Sequence, residues 1–222
     1  MSTKQSYNRY RIIFSKTSAT RFIGHLDLQN LFQRAIKRAK LPVAYSEGFN
    51  PHQLLSFATP LPLGMAGYAE ILEVFLSQET PPNAILSALN LQLPQGISIV
   101  DVVEVPSIGK SAAALVQKAT YRIIFSHAIN LEEIIQSVLS SDNIEVSKRS
   151  KKGVATVDIR PDIFDLQAAS QQDLRAILAC GSERNLKPEV LAQHILSLAG
   201  IAPEDCEITC ERLEVGLKAA TV

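Results

Sequence analysis

The sequence has no tryptophan, two methionines and three cysteines, and only 6% of it is aromatic. A core made from this chain therefore rests on aliphatic side chains. An odd and sparse cysteine set excludes a disulfide framework and fits a reducing compartment. Cys206 and Cys210, spaced C-x3-C, fall on one face if that segment is a strand, and read as small packing residues. No zinc or iron–sulfur ligand set accompanies them. No apolar run approaches the ~20 residues that span a bilayer. The opening MSTKQSYNRYR holds no signal-peptide core, so the expected location is the cytoplasm, away from membranes. A P-loop, a G-x-S-x-G elbow and a dinucleotide fingerprint are all missing, and no cofactor is expected.

Net charge is absent too, since 22 basic side chains balance 22 acidic ones. The balance is uneven along the chain. Residues 1–50 carry nine Lys/Arg against Asp27 and Glu47, which is +7, and the remainder is −7. Either a basic surface awaits an anionic partner, or an acidic surface of the same molecule covers it.

What is present is a repeat. The segment YRIIFS occurs at Tyr10–Ser15 and again at Tyr121–Ser126. After the first copy, Leu28, Leu31, Phe32, Ala35, Ile36 and Ala39 recur at helical spacing, predicting a helix from Leu26 to Lys40. After the second, Leu131, Ile134, Ile135, Val138 and Leu139 do the same over Leu131–Ser140. Strand-rich stretches with turn signals follow, at 44–76 and 144–179. Pro82 and Pro188 then open second helices, Ala84–Leu91 and Val190–Ala199. Closing strands are expected at Ile97–Val105 and Glu207–Val215. The order βαββαβ appears twice, which predicts an α+β protein of two tandem ferredoxin-like units, residues 1–113 and 114–222, each an antiparallel sheet with helices on one face. Pro106–Thr120 reads as the linker.

Residues 21–70 depart from that rhythm. The loop Tyr45–Ser56 crowds Tyr45, Ser46, Glu47, Asn50 and His52 around Gly48 and Pro51, where glycine permits a left-handed bend and proline holds Asn50 extended. Polar side chains on a restrained loop suggest a site. His25 and Asp27 open the first helix, where Asp27 suits the positive dipole end. His25, Asp27 and His52 are the candidates for acid–base chemistry or metal binding, or they cap and bond locally. Arg34, Lys37, Arg38 and Lys40 form a basic stripe that suits RNA phosphates or an acidic protein, or is simply solvated. A second basic run, 148–153, looks like a hairpin tip.

The stretches Arg21-Phe22-Ile23, His25-Leu26-Asp27-Leu28, Leu41-Pro42, Ala44–His52 and Pro60-Leu61-Pro62-Leu63-Gly64, with Glu70, closely resemble the radical-SAM-linked family of uncharacterised proteins. Fainter matches run through Asp158-Ile159-Arg160-Pro161, Leu186-Lys187-Pro188 and Arg212. Gly24 and Gln53 depart from the family's usual serine and proline. Members lie beside, or fused to, a cobalamin-type radical-SAM protein, and their usual gene neighbourhood points toward translation or RNA. This chain lacks the three-cysteine cluster of a radical-SAM centre, so a separate chain is expected to supply such chemistry. The resemblance implies an accessory protein that binds or presents a substrate, with RNA the candidate, to that enzyme. Arg21, Arg34, Arg38, Tyr45, Ser46, Glu47, Asn50 and Glu70 are the expected ligand-binding residues, and His25 and His52 the proton shuttles. A stand-alone RNA-binding or RNA-processing protein and a metal-dependent hydrolase are the alternatives.

Overall fold

A computed structural model describes residues 7–150 and 153–218; the side chains of residues 148–150 and 154 lie outside that description. The chain divides into two compact units, Met1–Val116 with Leu217–Val222, and Gln117–Gly216. Among the described residues, five helices and mostly antiparallel strands make it an α+β protein.

The first unit runs β1 (Asn8–Lys16), a 3-10 turn (Ser18–Phe22), α1 (His25–Arg38), β2 (Leu55–Phe57), β3 (Ala66–Leu76), α2 (Pro82–Asn90), β4 (Ile97–Val105) and α3 (Ala112–Leu115). β1 pairs antiparallel with both β3 and β4, and β2 pairs with β3, so the strand order is β4-β1-β3-β2. Alternation along β1 sends Tyr10, Ile12 and Phe14 into one core with Leu28, Phe32, Ala35 and Ile36 of α1 and Ile85 and Leu89 of α2. Each large apolar side chain among them contributes roughly 1.5–3 kcal/mol by burial. The Tyr10 hydroxyl accepts the Thr80 N–H at 3.0 Å and fixes the approach to α2. On the opposite face of the sheet, Arg9 and Arg11 meet Glu73. Arg9 Nη2 lies 2.7 Å from both Glu73 oxygens and donates to Lys110 O at 2.8 Å, and Arg11 Nε lies 3.0 Å from Glu73 Oε1.

The second unit runs β5 (Val116–Phe125), α4 (Leu131–Ser140), β6 (Glu145–Ser150), β7 (Gly153–Asp158), a 3-10 turn (Arg160–Asp162), β8 (Ile163–Ser170), β9 (Asp173–Ala179), α5 (Pro188–Leu198) and β10 (Ile208–Leu217). Its strands follow the order β10-β5-β9-β8, while β6 and β7 form a separate two-stranded sheet. The repeated hexapeptide thus lies in corresponding central strands, and Tyr121, Ile123 and Phe125 are buried as Tyr10, Ile12 and Phe14 are. Burial and the neighbouring Cys180 push the Tyr121 phenol pKa upward, against the pull of Arg212.

Two expectations change. The 106–120 segment is not wholly a linker: Ala112–Leu115 forms a helical turn, capped by Ser111 Oγ, which accepts from Ala114 N at 3.2 Å, and β5 begins directly after it. The 144–179 stretch holds four strands, because the β6–β7 hairpin is added ahead of β8 and β9. The basic side chains of its tip lie outside the described residues. The hairpin is anchored at its base by Asp158, whose Oδ1 accepts from Ile144 N at 2.8 Å and Arg160 N at 3.0 Å. Arg160 in turn donates to the carbonyls of Leu139, Ser141 and Ile163 at 2.9–3.2 Å, closing the end of α4.

Removing one member of the Arg9–Glu73 pair should be costly, because side-chain exposures of 4% and 1% leave the survivor charged and dry. Glu73→Ala is expected to lower stability in urea by about 3–5 kcal/mol, and an Arg9→Met/Glu73→Leu double variant by much less. A loss below about 1 kcal/mol for Glu73→Ala contradicts this account. The backbone donors, Ile144 first and then Arg160, hold the Asp158 carboxyl below its ordinary value of 3.8. Its stabilisation is therefore complete above 3.8 and is lost as pH falls from there through the lower folded value. Asp158→Asn should weaken the protein at neutral pH and blunt its loss of stability in acid, as seen in urea midpoints measured across that window. Equal acid sensitivity in variant and parent contradicts the assignment.

Candidate functional site

The 3-10 turn that follows β1 is tied to the start of β4. Thr17 N donates to Gly96 O at 2.8 Å, and Thr20 Oγ1 donates to Thr17 O at 2.6 Å and lies 3.0 Å from Gly96 O. Gly96 has φ +93°, and a Cβ there would stand 2.9 Å from Thr17 O, so only glycine suits the junction. The turn presents Arg21 and Phe22 to solvent, with the guanidinium 4.8 Å from the ring centroid. The Arg21 carbonyl accepts from the ammonium of buried Lys16 at 3.0 Å and from Gly64 N at 2.9 Å. Through that second bond the Pro60–Gly64 route is held beside Phe22. Leu63 next to it is 69% exposed, Phe22 61%, and Leu26 at the start of α1 74%.

The 44–54 loop is closed at its neck. Leu54 N donates to Ala44 O, and Ser46 N to His52 O, both at 2.8 Å, while Tyr45 bridges Gln53. Ser46 Oγ accepts the His52 N–H at 3.1 Å and lies 2.8 Å from His52 Nδ1. Gln53 Nε2 donates to Gln33 O on α1 at 3.3 Å, fastening the neck to the helix. Gly48 takes the left-handed bend, φ +115°, and the tip carries Glu47, Phe49 and Asn50 into solvent. Phe49 is fully exposed.

The histidines make separate contacts. His25 stacks edge-on against Phe57, 5.3 Å between centroids, at the rim of the Phe14–Phe32–Phe57 cluster. His52 bonds only within its own loop neck, and its neighbour Gln53 is fixed at Gln33, about 12 Å along α1 from His25 at 1.5 Å per residue. The two do not meet in any described contact. Asp27 is exposed in the first turn of α1. Among the described residues no group of three His, Cys, Asp or Glu is arranged to hold a metal ion. The basic stripe divides. Arg38 is committed to the end of α2, donating to Gln92 O at 2.7 Å and Gln92 Oε1 at 3.3 Å. Arg34, Lys37 and Lys40 are exposed, and their side chains make no hydrogen bond or ion pair among the described residues. Glu70, expected at the surface, is 3% exposed and lies over Gly67, where a Cβ would come within 2.6 Å of Glu70 Oε1. It lies in the stretch Glu70–Val74 of β3, which is buried on both faces, so the carboxylate is enclosed.

Residues 9–188 match the family described as an uncharacterised protein conserved in bacteria (DUF2344). The chain belongs to this family. No curated protein matches it. The match to DUF2344 begins in β1 and ends at the first residue of α5, so it contains the whole 21–70 surface. Within that surface the apolar side chains Phe22, Leu26, Phe49 and Leu63 were not among the expected site residues, which were chosen for polarity. A phenylalanine between Gly48 and Asn50 was the available signal, because a tight polar turn gives it no core to join.

Gln53→Ala frees the neck from α1. It should cost about 1 kcal/mol of stability and speed amide exchange across residues 45–52, measured by hydrogen exchange, while amides of β1 stay protected. Unchanged exchange in the loop would show that the Gln33 contact does not hold it.

Proposed function

We propose that this DUF2344 protein is a non-catalytic accessory protein that docks on a separate radical-SAM enzyme and presents a substrate, with RNA the candidate. The docking surface is the exposed apolar set of the first unit. The observation that carries this reading is Phe49, wholly in solvent at the tip of a loop whose neck is closed by hydrogen bonds. Six large apolar side chains, Phe22, Leu26, Tyr45, Phe49, Leu63 and Tyr68, are exposed within residues 22–68. Contiguous exposed apolar side chains mark interaction sites, and the Gly64–Arg21 bond holds the Pro60–Gly64 route, with exposed Leu63, beside exposed Phe22. Aliphatic Leu26 and Leu63 offer no face for base stacking, which favours a protein partner there. The choice of a radical-SAM enzyme as that partner comes from the family resemblance.

RNA has its own support in Arg34 and Lys37, exposed at i, i+3 on α1. That pair suits either the presented substrate or the stand-alone RNA-binding alternative. No described cluster favours the metal-dependent hydrolase. We also read both units as ferredoxin-like. In each, the first strand lies between the third and the fourth, and helices follow the first and third strands if β6–β7 is taken as an addition.

The test uses the neighbouring radical-SAM protein and an RNA oligomer as separate ligands. Leu26→Ser/Phe49→Ser should lower affinity for the enzyme about ten-fold or more, with folding intact because both side chains are outside the core. Arg34→Ala/Lys37→Ala should spare the enzyme, weaken RNA binding, and flatten its log–log salt dependence by about 0.7–0.9 for each phosphate no longer neutralised. Enzyme binding by Leu26→Ser/Phe49→Ser equal to that of the parent would overturn the docking surface. RNA binding without any enzyme binding by the parent would leave the stand-alone reading in its place.

A further inference from the structure

The second unit contains a cleft of its own, about 500 Å³ in volume and lined wholly by residues within Gln117–Gly216. That volume is in the range of sites for small molecules and cofactors. One wall is the β6–β7 hairpin, where Val146 and Val157 are direct cross-strand partners facing the space. The opposite wall is the outer face of α5, where Val190, Gln193, His194 and Ser197 recur at i, i+3, i+4 and i+7. Ile159, 3% exposed, also lines it. Valines on the hairpin and on α5 offer a ring bound in this cleft apolar surface from two elements.

The polar groups of the cleft are mostly neutral. Asn185 and Gln193 bring amides that both donate and accept, the combination that heterocycle edges require. Burial lowers the His194 pKa from 6.5, so its imidazole is neutral near pH 7 and also supplies one donor and one acceptor. Charge is confined to two places. Asp162 is already engaged by Arg184. The side chain of Lys187, exposed where the chain enters α5, has no ion pair or hydrogen bond among the described residues. One uncompensated cation beside an amide-lined cleft suits a ligand with one anionic end.

The walls are held in place by specific bonds. Asp158 accepts the backbone N–H groups of Ile144 and Arg160, and the Arg160 guanidinium donates to the carbonyls of Leu139, Ser141 and Ile163. These two residues belong to the Asp-Ile-Arg-Pro stretch at the base of the hairpin. Leu186 and Lys187, from the Leu-Lys-Pro stretch, form part of the lining itself. Two sequence pieces that the first unit's surface leaves unexplained therefore converge on this cleft.

We propose that this cleft binds a nucleotide, with the base between the hairpin valines and α5 and the phosphate on Lys187. The same chemistry is offered by a free nucleotide and by the terminal nucleotide of an RNA strand. The chain has four histidines, so the His194 imidazole signal can be followed by NMR in the full-length protein. Adenosine 5′-monophosphate should move that signal saturably, adenosine should bind about ten-fold more weakly, and inorganic phosphate alone should leave it in place. Lys187→Ala should reduce the monophosphate to the affinity of adenosine. Val190→Trp should fill the slot and abolish both; should it unfold the unit, Gln193→Ala, on the exposed side of α5, is expected to weaken both ligands together. A 5′-phosphorylated tetraribonucleotide that binds more tightly than the monophosphate assigns the site to an RNA end, and one that binds no better assigns it to the free nucleotide. The proposal is overturned if neither nucleotide ligand moves His194, if phosphate alone moves it equally, or if Lys187→Ala binds the monophosphate as the parent does.

Discussion

The strand Asn8–Lys16 has a hydrogen-bonded neighbour on each side, and this single constraint sets the rest of the first unit. A central strand cannot turn its side chains away from either face, so each position is committed by parity. Even positions carry Tyr10, Ile12 and Phe14 into the helix-covered core. Lys16 continues that parity to the end of the strand, where its ammonium finds the Arg21 carbonyl. The candidate surface follows from that bond. It fixes the turn that carries Arg21 and Phe22, and the same carbonyl receives Gly64, which brings the Pro60–Gly64 route alongside. Odd positions bring Arg9 and Arg11 to Glu73, where removal of one charge strands the others without water.

The proposed docking role rests on how the 21–70 surface is arranged. Acid–base catalysis needs groups within reach of one reacting atom. Here the two histidines are engaged separately, one on an aromatic rim and one in a loop neck. What the loop neck does accomplish is to hold Phe49 out in water with little freedom in its backbone. A side chain held in advance loses less entropy when a partner closes over it, and such anchors dominate binding energy. The closed neck and the exposed ring are therefore parts of one arrangement.

Much of the fold was legible because period is a local property. The α4 span Leu131–Ser140 and the β4 span Ile97–Val105 were readable from apolar spacing alone. The additional hairpin was hidden, since residues 144–179 show turn signals and strand formers without stating how many strands pair. Ala112–Leu115 was read as linker because small residues suit linkers and helical turns equally, and the deciding contact is one Ser111 hydroxyl. At the site, the loop and its glycine bend were visible, yet the partners were not. No periodicity of α1 announces that Arg38 reaches the Gln92 carbonyl beyond α2. Glu70 is the instructive case: its charge argued for the surface, yet it sits in the stretch Glu70–Val74 of β3, which is buried on both faces.

If both units are read as ferredoxin-like, as proposed above, they differ at the same connection. In each, the connection between the first helix and the next strand of the main sheet is longer than a plain crossing needs. The first unit places there, over residues 39–54, a loop closed at its neck, and the second places the β6–β7 hairpin and the 3-10 turn after it, over residues 141–162. Both additions are fastened to their own helix by side-chain bonds to backbone carbonyls, Gln53 to Gln33 in one and Arg160 to Leu139 in the other. A loop becomes a wall or a wedge only when such bonds restrain it, because an unrestrained connection would collapse onto the nearest apolar surface or lose order. On the ferredoxin-like reading proposed above, separate elaboration at one connection gives the two units different surfaces. One projects a ring outward, and the other encloses a slot. What the two units have in common is the packed antiparallel sheet, and both proposals rest on what each unit adds to it.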